Sequence, residues 1–226
     1  MTLTVSEGAG GTYTPPEAGT FTARCVGLID LGTQTSTYEG ESKAAHKLLL
    51  QFELCDPDNR RADGTPHTVS KRFTASLHPK AALRGVLEAW RGRPFSPEEL
   101  RGFDLKTLLG VPCLLGIVHV EKDGKTFANI SSCMRLPKGM PAPVGELGLT
   151  WFDLSSPDWQ VFATLPQRLQ DQIAAAPEYL AAKPPARVVL GSSAAPAAPA
   201  PRPAPAAQPV TPAAAALADM DDDIPF

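Results

Sequence analysis

The chain has 226 residues and a net charge of −3, enough for one ordinary domain with a real core. No stretch approaches the ~20 apolar residues of a membrane helix, and the polar start from Met1 to Gly11 is unlike a secretory signal, so a cytoplasmic protein is expected. Cys25, Cys55, Cys113 and Cys133 stand singly, without the close ligand pair of a zinc site; they are expected to be small buried hydrophobes, with no metal or cofactor.

Thr20 to Leu31 reads as a strand, with Phe21, Ala23, Cys25 and Ile29 alternating against Thr22, Arg24 and Asp30. A polar loop is expected from Gly32 to Ala45. His46 to Leu54 is a second strand, with Leu48, Leu50, Phe52 and Leu54 on one face and Lys47, Gln51 and Glu53 on the other. Asp56-Pro57-Asp58-Asn59 and Asp63-Gly64 mark a loop. Thr68 to Leu77 forms a third strand, placing Val69, Phe73 and Leu77 opposite Ser70, Arg72 and Thr74.

The period then changes. From Pro79 to Arg91, Leu83, Val86, Leu87 and Trp90 repeat at helical spacing. Ser96-Pro97-Glu98-Glu99 opens a second short helix, with Ser96 and Glu99 forming a capping box. Val111 to Lys122 and Lys125 to Leu136 form a hairpin around the two-residue turn Asp123-Gly124. Gly148 to Pro157 is irregular, and Leu165 to Ala182 reads as short helices interrupted by Pro177. Three strands, a helix and two strands is the order of an OB-fold, a mainly β, five-stranded Greek-key barrel that binds oligonucleotides across strands 2 and 3 and nearby loops.

From Gly191 to Ala218, 28 residues include 13 alanines and 7 prolines, a composition that cannot bury a core. The chain then closes on Asp221-Asp222-Asp223-Ile224-Pro225-Phe226. An acidic run followed by a short apolar end has the form of a peptide to be captured: the ring gives affinity, and the carboxylates meet basic groups around a pocket. Solubility alone would explain the aspartates but not the Ile-Pro-Phe.

This end resembles the C-terminal tip of bacterial and phage single-stranded DNA-binding proteins, which follows a Pro/Ala-rich linker. The body is similar to phage-encoded members in Ser70 to His78 and in Trp90-Arg91-Gly92. The resemblance implies an OB-fold domain over 1–138, a helical extension over 139–183 packed on the barrel, a disordered linker over 184–218 and a partner-binding tip over 219–226. It also implies docking of replication, recombination and repair enzymes on the terminal phenylalanine. A homo-oligomer is compatible with it.

Single-strand binding needs cations spaced along a backbone and flat rings on which bases stack. Lys71 to Arg93 holds six basic residues against Glu88, a local excess that matters more than total charge. Strand alternation puts Arg24, Lys47 and Arg72 on the outer side of the first three strands. Phe127, beside Lys122 and Lys125, falls opposite the set Ala128, Ile130, Met134 and Leu136, and is the leading stacking ring. Tyr38, with Lys43 in the same expected loop, comes next. Lys71 completes the cationic set. Phe73 shares a core face, unless a bulge turns it outward; Trp90 falls on the helix's apolar stripe.

No catalytic constellation is legible: the four histidines have no nucleophile at motif spacing, and no Gly-rich phosphate loop follows a strand. The expected function is sequence-independent coating of single-stranded DNA, with partner recruitment through the tip. An adaptor that occupies host enzymes without binding DNA, and an OB-fold RNA binder, are the alternatives.

Overall fold

The computed structural model describes residues 14–38, 41–122 and 124–182. It is mainly β. The strands are β1 (Gly19–Tyr38), β2 (Glu41–Leu54), β3 (Thr68–Thr74), β4 (Pro112–Lys122), β5 (Lys125–Met134) and β6 (Thr150–Phe152). The helices are α1 (Ala82–Arg91), α2 (Trp159–Thr164), α3 (Gln167–Ala174) and α4 (Pro177–Ala181). The strands form one six-stranded sheet in the order β3-β2-β1-β4-β5, with β6 paired to β1; the hydrogen-bonded path is open and ends on β3 and β5.

The expected loop from Gly32 to Ala45 is instead largely strand. Thr33, Thr35, Thr37 and Tyr38 are β-branched or aromatic residues that fit a pleated surface, so β1 and β2 continue through it. The described residues divide into two compact units, 14–29 with 48–151, and 30–47 with 152–182. Residues 139–151 fall with the first unit, and the distal halves of β1 and β2 with the second. The linker from 184 and the tip at 219–226 lie outside the described residues.

In the first unit, the inward set of each strand builds the core. Ala23 and Cys25 of β1, Leu48, Leu50, Phe52 and Leu54 of β2, Val69 and Phe73 of β3, Cys113, Leu115 and Ile117 of β4, and Ile130 and Cys133 of β5 form one buried cluster. Helix α1 adds Leu83, Leu87 and Trp90. It begins three residues after the expected Pro79 and ends on Gly92, whose φ of 66° suits the left-handed cap. The Trp90 ring packs 5.5 Å from Phe52 and its indole N–H donates to the Pro112 carbonyl at 3.0 Å, fixing α1 to β4. The capping box is present, although it opens a 3-10 turn (Glu99–Arg101): the Ser96 amide donates to Glu99 Oε2 at 2.9 Å and the Glu99 amide to Ser96 Oγ at 3.2 Å.

Cys25, Cys113 and Cys133 are buried, as expected, and Cys55 is half-buried. Burial pushes the Cys25 thiol up to about 12 and the Cys55 thiol up to about 11. A hydrogen bond with Cys133, together with burial, raises Cys113. Cys25, Cys55 and Cys113 are thereby held as neutral thiols.

The second unit has its own core, in which the rings of Phe152, Trp159, Phe162 and Tyr179 meet at 5.4 to 5.8 Å. Pro177, read from the sequence as an interruption, occupies the first turn of α4. The Thr33 amide donates to Glu178 at 2.9 Å, as does its hydroxyl, and His46 Nε2 pairs with Asp30 at 2.7 Å. Burial alone would raise the Glu178 carboxyl, but the Thr33 bonds and His46 outweigh it and hold the group down at about 2. Gly32 sits at φ 68°, where an added Cβ would come within 2.5 Å of Ala176 Cβ.

Candidate nucleic-acid interface

The β4–β5 ladder is antiparallel and pairs Lys122 with Lys125, Val120 with Phe127 and Val118 with Asn129. Directly opposed residues in such a ladder share a face. The outer face of the hairpin therefore carries two lysines at its tip, then an aromatic–valine pair, then valine and asparagine. Phe127 and Val120 are each 42% exposed. A ring standing on a sheet next to a pair of cations combines the stacking platform and the charges that single strands need. Asp123, in the turn, lies outside the described residues; Gly124 takes φ 70°, as the turn requires.

The ladder register shifts between Gly116 and Ile117, leaving Ser131 as the extra residue of a bulge in β5. Gly116 permits this, since a Cβ there would lie 2.4 Å from Ser132 Oγ and 2.8 Å from Ser131 Oγ. The bulge corrects the alternation read from sequence: Ile130 and Cys133 point inward, and Met134 turns out to 43% exposure beside Leu114.

The cations expected on strands 1 to 3 differ in their surroundings. Arg24 does lie on the outer side of β1, but that side is covered. Its guanidinium donates to Glu53 Oε2 at 2.9 Å and to the Leu147 carbonyl at 2.6 Å. Glu53 Oε1 in turn accepts from the amides of Glu146 at 2.6 Å and Leu147 at 3.2 Å. Arg60 clasps Glu146 as well. Chain 145–147 is thus strapped over the outer face of β1 and β2, and Arg24 is a structural ion-pair partner.

Lys71 is also redirected. Its ammonium donates to the Ile130 carbonyl of β5 at 3.1 Å and lies 5.7 Å from the centre of the Phe73 ring. It spans the two end strands of the sheet, β3 and β5, which lie against each other. Phe73 is 1% exposed and belongs to the core, so its ring offers no stacking surface; Trp90 is core as well. Arg72 remains exposed on β3. In the second unit Lys43 is exposed and Lys47 half-buried. Tyr38 ends β1, and its side chain lies outside the described part, as do Asp221, Asp222, Asp223, Ile224, Pro225 and Phe226.

The basic excess of residues 71–93 is largely paired. Arg84 bonds Glu88 at 2.9 Å, and Arg91 and Arg93 share Glu99. The Ser96 amide, then Arg93 and Arg91, hold the Glu99 carboxyl down at about 2, so it stays ionised. Sequence reasoning named Phe127, Asn129 on the same face and both tip lysines, but not Val120 and Val118 opposite them. The two-residue turn already set those pairs, because it places 122 opposite 125 and fixes every pair up to the bulge.

Among the described residues, no group of three His, Cys, Asp or Glu side chains is placed to hold a metal, and no helix is long and apolar enough to cross a membrane. The chain matches no protein-family model and no curated protein.

Proposed function

We propose that this chain is a single-stranded DNA-binding protein that coats exposed strands with little sequence preference and offers its C-terminal tip, Asp221 to Phe226, to replication, recombination and repair enzymes. The observation that carries the reading is Phe127 standing exposed between Lys122, Lys125 and the valines on one open sheet face. The stripe has one ring and charge but few directional acceptors for reading base edges, which suits sequence-independent stacking.

The strand path β3-β2-β1-β4-β5, with a helix between β3 and β4, supports the reading of an OB-fold whose β3 and β5 edges face each other. Lys71 bridging that seam supports a barrel closed by side-chain contact rather than by a ladder. The β4–β5 hairpin then corresponds to one of the loops such barrels use on oligonucleotides. The acidic-apolar tip adds a tether for partners. Fluorescence titration with oligo(dT) tests the reading: it requires binding whose log K falls by about 0.7 per neutralised phosphate for each log unit of salt. Absence of binding at low salt removes it, and stronger binding to oligo(U) of equal length would redirect it to RNA.

A further inference from the structure

At the opposite end of the hairpin from the lysines lies a cleft of about 530 Å³, lined by Trp90, Arg91, Arg93, Val111, Pro112, Arg135 and Leu136. We infer that this cleft is a second nucleic-acid contact, binding phosphate oxygens of a strand that has run down the outer face of β4 and β5. The inference rests on the function proposed above.

Three observations carry it. First, the cleft joins the stripe: Pro112 and Leu114 continue the outer face of β4 that carries Val118, Val120 and Lys122, and Met134 continues it on β5. Lys122 and Pro112 are ten residues apart, roughly 33 Å of extended strand, a span within reach of the ~4–16 nucleotides that OB-folds occupy.

Second, the cleft has unmatched charge. Four arginines, Arg84, Arg91, Arg93 and Arg135, stand in and beside the cleft against two carboxylates, Glu88 and Glu99, leaving two positive charges in excess. The C-terminal end of α1 opposes an anion by only about half a charge. Arg93 is 58% exposed at its side chain, and Arg135 is exposed. The stem of Arg135 lies over the cap of α1, where a Cβ on Gly92 would be 3.1 Å from its Cδ.

Third, one residue that lines the cleft carries an unmet donor. Arg91 is held between rings, 4.3 Å from the centre of Phe95 and 5.0 Å from that of Phe103. Its Nη2 bonds Glu99, yet its Nη1 is buried with no hydrogen-bond partner. Guanidinium forks match phosphate geometry, and this set is oriented before any ligand arrives. Arg91 organises the cleft and Arg135 is the exposed group that grips, while Arg93, bonded to Glu99 through both Nη atoms, would exchange part of that pair for phosphate.

The test uses the full chain carrying R93Q and R135Q together, both at exposed positions, with oligo(dT) of about 6 and about 16 nucleotides, chosen within the site sizes such folds show. The expected result is unchanged affinity for the short oligomer. For the long one, a loss on the order of tenfold at low salt is expected, with the salt slope shallower by about 1.4. Glu99→Gln, which keeps a capping group for Ser96, should tighten the long oligomer. If the unaltered chain binds neither oligomer, the proposed function itself falls. If it binds both and the double variant matches it at both lengths, the cleft is not a contact while the function stands. Equal losses at both lengths would overturn the assignment to the far end of the track. An acidic-apolar peptide that binds the cleft and survives excess long oligomer would reassign it to protein recognition.

Discussion

Two outer faces of the first unit began with the same credentials and ended differently. On β1 and β2, Arg24 points away from the core, as alternation requires, yet Glu53, Glu146 and Leu147 enclose it. On β4 and β5, Lys122, Lys125 and Phe127 also point away from the core and stay open. The period of a strand tells which side a residue occupies; it does not tell what a later segment lays over that side. A cation held by a 1%-exposed carboxylate is part of the fold, whereas an exposed ring next to a pair of lysines is available to a ligand.

The largest expected effect breaks the closed face. Glu53→Gln strips the charge that compensates Arg24 and weakens the acceptor for two strap amides. Leaving one member of a buried pair alone costs on the order of 3 kcal/mol, readable as a lowered denaturant midpoint. Arg24→Gln should likewise destabilise, while DNA affinity of the folded fraction holds. A selective loss of affinity with normal stability would put Arg24 back in the interface.

On the open face the pattern inverts. Phe127→Ala should weaken oligo(dT) binding by about 1–3 kcal/mol and leave the midpoint nearly unchanged, since the ring is already 42% exposed. Smaller still, Lys122→Gln and Lys125→Gln should each flatten the salt dependence by about 0.7 if each neutralises one phosphate. Salt slopes from titrations at several concentrations would check this.

The smallest effect belongs to the second unit and depends on pH. The folded Glu178 carboxyl, at about 2, lies below its ordinary value of 4.5. Its contribution is therefore fully present above the ordinary value and is lost as pH falls through about 2. Amide exchange at Thr33, whose N–H Glu178 accepts, should accelerate over that range. Thr33→Val, which removes the hydroxyl donor, should shift the acceleration to higher pH.

Much of the architecture was legible from local rules. Leu48, Leu50, Phe52 and Leu54 alternate cleanly, Leu83, Leu87 and Trp90 repeat at helical spacing, and Ser96 with Glu99 announces its own cap. What escaped was non-local. Thr33 to Tyr38 looked like a loop because it is polar, although threonine and tyrosine suit strands. The bulge at Ser131 turned Met134 outward, and no periodicity marks a one-residue insertion. Lys71 was read as a surface cation, but its long stem reaches β5 across the seam. Of the proposed interface, Phe127 and the lysines came from sequence. The arginine cleft did not, because it joins residues near 91, 111 and 135 that only folding brings together.

The most direct test is equilibrium titration of the intact chain and its Phe127→Ala variant with oligo(dT) across a salt series. The account predicts tight, salt-sensitive binding by the first and a roughly ten- to hundredfold weaker complex with the second at unchanged stability. Equal affinities for the two proteins, or no binding by either in dilute buffer, would contradict it.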